Sequence, residues 1–191
     1  MDLVLFGNIN GLANRWPFLD WTGILLASQL QYLIVGFLLL IPFLPKWKTP
    51  ENRSMVIVAI ASALFSRFVI TEAIRLFYHR PRPFLVLEST HKLINVTSGV
   101  NYLDSFPSGH SAFFFGLAAA VYFHNRKLGV FFLVTAFLIG AARVFTGVHW
   151  PSDIIGGVAV GFAGAWIINF LFTKARNSKL NLWRKRGPQT A

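Results

Sequence analysis

The chain has 191 residues, enough for one domain or one compact membrane bundle and no more. Hydrophobic residues make up 54% of it and charged residues 13%, against about 25% charged in an ordinary soluble domain, and 20 positions are phenylalanine. A soluble globule this small could not bury so much apolar surface, and the mean hydropathy of +0.55 points to a bilayer. With no cysteine, disulfide scaffolds, iron–sulfur proteins and thiol enzymes are excluded.

Residues 1–20 come first. Leu5, Ile9, Leu12 and Trp16 recur at three- and four-residue spacing with Asn8, Asn10, Asn14 and Arg15 between them. This pattern predicts an amphipathic helix lying in the membrane interface, closed by Pro17 and Asp20. A signal peptide is not expected, because no basic start or small-residue cleavage site flanks an apolar core. Membrane-crossing helices are predicted at Trp21–Leu44, Ser54–Phe77, Pro107–Phe123, Leu128–Val148 and Ile154–Thr173, each near the roughly 20 apolar residues that a crossing needs. The expected fold is thus an all-α integral membrane protein: an interfacial helix over 1–20, a bundle of five transmembrane helices over 21–173, and a basic tail over 174–191.

Five crossings put alternate connections on opposite sides. One side collects Lys46, Lys48, Arg53, Arg126, Lys127 and the basic tail, including Arg184-Lys185-Arg186, against the single acid Glu51. That side is expected in the cytoplasm and the tail against anionic headgroups. The net charge of +11 therefore reports topology, and no nucleic-acid partner is expected. Trp16, Trp21, Trp47 and Trp183 fit interfacial belts.

The opposite, outward side gathers three clusters that are distant in sequence. They are His79-Arg80-Pro81-Arg82-Pro83, Ser105-Phe106-Pro107-Ser108-Gly109-His110, and Arg143 followed after five residues by His149-Trp150-Pro151-Ser152-Asp153. Arg75, Arg82 and Arg143 offer planar cationic forks that match phosphate oxygens. Pro107-Ser108-Gly109 opens a helix whose first N–H groups suit an anion. Asp153, four residues after His149, can orient that imidazole as a nucleophile, and His110 can protonate a leaving oxygen. The blander reading of the third cluster is a helix start, with Asp153 capping and Pro151 in the first turn.

The ordered pattern Arg75-x6-Arg82-Pro83, Pro107-Ser108-Gly109-His110 and Arg143-x5-His149-x3-Asp153 resembles the three-part motif of the type-2 phosphatidic acid phosphatase superfamily. The resemblance implies a metal-free, cofactor-free hydrolysis. His149 would be the nucleophile that forms a phosphohistidine, Asp153 its orienter, His110 the acid, and Arg75, Arg82, Ser108, Gly109 and Arg143 the phosphate binders. Two positions depart from that pattern: the family usually has lysine at Arg75 and serine at Ala142. Size, span number and the N-terminal helix are similar to bacterial undecaprenyl-diphosphate phosphatases of the bacitracin-resistance type, several of which have aspartate where Gly109 stands. The implied substrate is a lipid phosphate or diphosphate, hydrolysed at the outer face of a bacterial plasma membrane. Phosphatidylglycerophosphate, phosphatidate and lipid A stay open as substrates. So do a phosphotransferase using the same phosphohistidine, an inert or transporting bundle, and, lower, a vanadium haloperoxidase.

Other polar positions have ordinary readings. Arg80, His91 and Lys92 read as solvated loop residues, with a second phosphate site as the alternative. His79, His91 and His124 show no ligand spacing. Glu72 either simply pairs with Arg75 or positions it for phosphate, and the partner of Arg67, deep in the second span, is not legible.

Overall fold

The structure, a computed structural model, describes residues 1–96 and 104–186, without the side chains of 179–186. The tail cluster Arg184–Arg186 and Trp183 thus have side chains outside the described ones. Among the described residues the chain is helical, and its one extended pairing is an isolated bridge between Pro81 and Asp104.

The helices are α1 (Asp2–Asn10), α2 (Pro17–Ser28), α3 (Leu30–Leu40), α4 (Pro50–Leu64), α5 (Thr71–Phe77), α6 (Pro83–Val86), α7 (Gly109–His124), α8 (Arg126–Phe145) and α9 (Pro151–Arg186). Local chemistry sets their starts. Thr49, Ser108 and Asn125 cap α4, α7 and α8 by accepting from Asn52, Ser111 and Leu128 N–H groups, and Pro17, Pro50 and Pro151 occupy first helical positions.

Helix α7 is the axle of the bundle, packed against α4, α8 and α9. Ala112, Leu117, Ala118, Ala119, Ala120 and Val121 on it are fully buried, whereas large apolar residues such as Phe43, Phe77, Phe137, Ile155 and Trp166 face outward. Small residues inside and large apolar ones outside suit a bundle solvated by lipid. A Cβ on Gly161 would lie 2.7 Å from the backbone nitrogen of Gly116 and 2.9 Å from the carbonyl oxygen of Ala112. On Gly157 it would lie 2.7 Å from the carbonyl oxygen of Ser108. These two glycines, one turn apart, let α9 lie directly on the α7 backbone. Gly36 has nothing within 4 Å of such a Cβ. Gly161→Ala is therefore expected to destabilise the protein by about 1–3 kcal/mol, while Gly36→Ala is neutral or stabilising through helix propensity. Thermal melts in detergent check this, and equal melting temperatures would contradict the interlock.

Among the described residues, three helices are long and apolar enough to cross a membrane: Pro50–Phe77, Arg126–Phe145 and Pro151–Ser178. The expected first span is a pair of helices, Pro17–Ser28 and Leu30–Phe43, bent by 44°, which together are long and apolar enough for a fourth crossing. The bend falls in the polar run Ser28-Gln29-Leu30-Gln31. There the Gln31 side chain donates to the Ser28 carbonyl (2.8 Å) and Arg143 to that of Ala27 (3.4 Å), supplying partners outside the helical ladder. Pro50–Phe77 contains a π turn over Phe65–Ile70, with the Thr71 hydroxyl donating to the Ser66 carbonyl (2.9 Å). Helix α7, at 16 residues, is shorter than a full crossing. Helix α9 continues well past Thr173, where a separate tail was expected.

The N-terminal region departs from a single helix over 1–20. Helix α1 ends at Asn10, and Pro17 opens α2. Asp20 accepts from the Asn14 N–H at 2.9 and 3.1 Å. The face turned to the bundle carries Phe6, Asn10 and Ala13, all buried, while Leu5, Leu12 and Trp16 are exposed. Asn10 was expected on a wet face. Its amide instead donates to the carbonyls of His91 (2.9 Å) and Phe145 (2.8 Å), stitching α1 to the end of α8.

Candidate active site

Helix α8 ends in a tight reversal that sets the third cluster. Gly147 N–H donates to the Val144 carbonyl (3.0 Å) and Val148 N–H to that of Arg143 (3.2 Å), the paired bonds of a Schellman motif. Gly147 has φ +80, which glycine adopts without strain, and a Cβ there would sit 2.6 Å from the His91 carbonyl oxygen. The five-residue spacing between Arg143 and His149 is thus the length of this reversal, and it returns His149 toward Arg143.

Pro151 then starts α9, and one Asp153 oxygen accepts from the Trp150 N–H at 2.7 Å. The capping reading of Asp153 therefore holds, and the same carboxylate also faces His149. Its Oδ2 lies 3.4 Å from His149 Nδ1. Ser105 Oγ sits beside both, 3.4 Å from Nδ1, and donates to Oδ2. On the other ring nitrogen, Arg82 Nη1 lies 3.2 Å from Nε2. A guanidinium only donates, so Nε2 carries the lone pair and Nδ1 the proton, aimed at Ser105 and Asp153. His149 is buried. That burial, and then Arg82, Arg143 and Arg75, push its pKa well below the ordinary 6.5.

The two arginines of the first motif brace the backbone of the other two clusters. Arg75 donates to the Pro107 carbonyl (2.9 Å) and Arg82 to that of Val148 (2.8 Å), which ties α5 and the loop after it to the starts of α7 and α9. The N–H of Ser108 donates to the Asp153 carbonyl (3.0 Å), and the Phe106–Pro107 peptide just before it is cis. Arg75, Arg82 and Arg143 are each less than 10% exposed, at 5%, 4% and 7%, yet all three line one cavity of about 320 Å³. The Nε atoms of Arg75 and Arg143 are buried without a hydrogen-bond partner.

Gly109, His110 and His149 line this cavity with the arginines. Ser108 and Asp153 stand behind it, fully buried. Gly109 and His110 occupy the first turn of α7, where N–H groups lack intrahelical acceptors. Of the eight residues singled out in the sequence, six line the cavity and two support it. A buried, positively charged cavity with spare donors calls for an anion of several oxygens. Among the described residues no three His, Asp or Glu side chains stand together as a metal site would require.

Several partners were missed. Arg80 is no solvated loop residue: it donates to Asp153 Oδ1 (2.8 Å), Ser152 Oγ (2.6 Å) and Asp2 Oδ2 (2.6 Å). Asp2 also accepts from the Ser152 N–H (3.0 Å), so the first helix is pinned to the last behind the site. Its burial raises the Asp2 pKa, but hydrogen bonds from Ser152 and Arg80 outweigh this and lower it. Lys92 lies over the Phe84 ring at 4.3 Å, and His91 contacts Asn14 at 3.0 Å. His79 pairs with Asp104 (3.0 Å), and His124 contacts the Ala120 carbonyl (3.0 Å). The partner of Arg67 is Glu72, which also reaches Arg75 at 3.4 Å.

A second, largely apolar groove of about 300 Å³ adjoins the cavity and shares Gln31, Tyr32, Arg67, Gly109 and His110 with it. Val35, Phe68, Phe113 and Phe114 complete its wall.

The chain is 31% identical over 172 residues to undecaprenyl-diphosphatase BcrC of Bacillus subtilis (strain 168), spanning 90% of this chain and 82% of that one. It is 34% identical over 171 residues to the putative undecaprenyl-diphosphatase YbjG of Escherichia coli (strain K12), spanning 86% and 79%. The crystal structure of Aquifex aeolicus LpxE superposes with a TM-score of 0.65 at 25% identity, covering 87% of this chain and 93% of that one. Residues 55–177, which hold all three clusters, match the model of the PAP2 superfamily, and the chain belongs to that superfamily.

Proposed function

We propose that this PAP2 membrane phosphatase hydrolyses undecaprenyl diphosphate to undecaprenyl phosphate and inorganic phosphate at the outer face of a bacterial plasma membrane. The observation that carries the reading is the cavity itself: three buried arginines surround His149 and His110, and an apolar groove opens beside them. The cavity suits a phosphate group and the groove suits an isoprenoid or acyl chain. Two relatives that align over most of this chain carry undecaprenyl-diphosphatase in their names.

Nε2 of His149 attacks the terminal phosphorus, forming an N–P bond as the bond to the bridging oxygen breaks. His110 gives its proton to that oxygen. Arg75, Arg82 and Arg143, with the first N–H groups of α7, hold the equatorial oxygens. Arg82 passes from Nε2 to the arriving phosphate, which frees the lone pair for attack. Water then cleaves the N–P bond, with His110 taking its proton, and phosphate leaves. Asp153 and Ser105 keep the His149 proton on Nδ1 and stabilise positive charge on the ring.

In this reading α7 is the fifth crossing. It spans about 24 Å and is sheathed by α4, α8 and α9, so its ends need not reach the headgroups themselves. The basic connections at the far end from the site, Lys46–Arg53 and Arg126–Lys127, lie in the cytoplasm.

The test is phosphate release by detergent-purified protein in excess EDTA from undecaprenyl diphosphate, phosphatidylglycerophosphate, phosphatidate and lipid A side by side. Fastest release from undecaprenyl diphosphate is expected. A faster monophosphate lipid would reassign the substrate, and release that needs an acceptor lipid would make the protein a phosphotransferase.

A further inference from the structure

Arg67 stands where the polar cavity and the apolar groove meet, and the hydrolysis of a phosphate ester does not need it. It lines both spaces, as does His110, and no other cationic side chain among the described residues does so. It sits within a long apolar helix, a costly place for a charge that has no task. The π turn over Phe65–Ile70 contains it, and such widened turns recur at functional sites. Its guanidinium crosses the start of α7, where a Cβ on Gly109 would come within 2.5 Å of Nε and 2.8 Å of Cδ. Glu72 holds Nη1, and the Phe68 ring lies 5.1 Å from the guanidinium carbon. The side chain is thus fixed next to His110 on the groove side of the cavity.

We propose that Arg67 binds the lipid-proximal phosphate of a diphosphate substrate and makes the site prefer diphosphates to monophosphates. The inference rests on the hydrolase reading above and adds to it a second phosphate position. The terminal phosphoryl group lies among Arg75, Arg82 and Arg143, in line with His149. The leaving group must then exit past His110 toward the apolar groove. For a monophosphate lipid, the atom after the bridging oxygen is carbon, and Arg67 finds no anion there. For a diphosphate, that atom is the second phosphorus, and its oxygens reach Arg67. The bond breaks between the terminal phosphorus and the bridging oxygen. The lipid monophosphate that departs is an anion, so Arg67 also stabilises the charge developing on it. Glu72 holds the guanidinium in place and limits its excess charge while the site is empty.

The experiment compares farnesyl diphosphate with farnesyl monophosphate, two probes that share one chain and differ only in the second phosphate. Arg67→Gln is expected to lower kcat/KM for the diphosphate by about 10- to 100-fold, the rate equivalent of a lost charge-assisted hydrogen bond. The monophosphate should change by less than about 3-fold on the same scale. Because Arg67→Gln leaves Glu72 beside Arg75, the double variant Arg67→Gln/Glu72→Gln is measured too. It should keep the selective loss. Recovery of diphosphate turnover in the double variant would assign the loss to a stray carboxylate and overturn the inference. An equal fall on both probes, or no fall on either, would overturn it as well while leaving the hydrolase reading intact. No release from either probe by wild-type protein would instead bring down the hydrolase reading, and this inference with it.

Discussion

Alanine at position 149 is expected to reduce phosphate release by at least about 10⁴-fold, the scale on which loss of an enzyme nucleophile is felt. The side chain is 1% exposed and bonded at both ring nitrogens, so no neighbouring group can take its place. Rapid quench with radiolabelled diphosphate should trap an acid-labile, alkali-stable phosphoenzyme in wild-type protein and none in His149→Ala. Steady-state rates close to wild type in that variant would overturn the mechanism. The same variant has a second readout, in stability. The folded-state pKa of His149 lies below its unfolded value of 6.5, because burial and three arginines oppose the charged ring. The unfolded chain therefore binds the extra proton as pH falls below about 6.5, so stability is full above that pH and is lost on the way down to the folded pKa. Melting temperatures between pH 7.5 and pH 5 should fall less in His149→Ala than in wild type.

The three clusters were legible because their residue types seldom meet for any other reason. Arginines in a PR context, a PSGH helix start and a His-x3-Asp pair each have a bland account alone, and topology put them at one end of the bundle. Even local detail was within reach, since Gly147 marks the end of α8 that the hydropathy pattern ran past to Val148. Residues that act over long range were not legible. Asp2 meets Ser152 across 150 positions and Asn10 meets Phe145 across 135, and nothing in an Asp at a helix start or an Asn on a helix face forecasts those contacts. Ser105 stood at the head of a cluster, yet a serine before an aromatic–proline pair has no pattern of its own. Arg67 illustrates a different failure. Ordinary helix spacing pairs Glu72 with Arg75, three residues on, and leaves Arg67, five residues back, on another face. Only the widened π turn brings both arginines to one carboxylate. The bend at Gln29 was missed for a related reason, because the carbonyls it frees are satisfied by Gln31 nearby and by Arg143 from α8.

Asp153→Asn is expected to cost about 10³- to 10⁴-fold in kcat, as loss of the orienting carboxylate does in comparable His–Asp pairs. The carboxylate accepts from Arg80 at one oxygen, and from Ser105 and Trp150 at the other, which also faces His149. An amide cannot reproduce this. Either orientation points its NH₂ at a group that donates, so the asparagine side chain turns, or Arg80 or Ser105 withdraws. Without the charge, Nδ1–H loses its acceptor and the imidazole is free to take the tautomer that blocks Nε2. The variant should still fold, because the Asp153 carbonyl keeps its bond from Ser108 N–H and the α7–α9 interlock does not involve the carboxylate. Arg80→Met probes the same carboxylate from behind. It leaves Asp2 and Asp153 facing each other across Ser152 without the cation that joins them, and it should lower kcat by a smaller factor, about 10- to 100-fold. If Arg80 acts through Asp153, the two losses will not add: Arg80→Met in the Asp153→Asn background should cost little further. Additive losses would instead mean that Arg80 contributes by a route of its own, such as fastening α1 through Asp2. Asp2→Asn separates the two: a fastening route through Asp2 lowers both its melting temperature and its kcat, whereas action through Asp153 leaves its kcat near wild type.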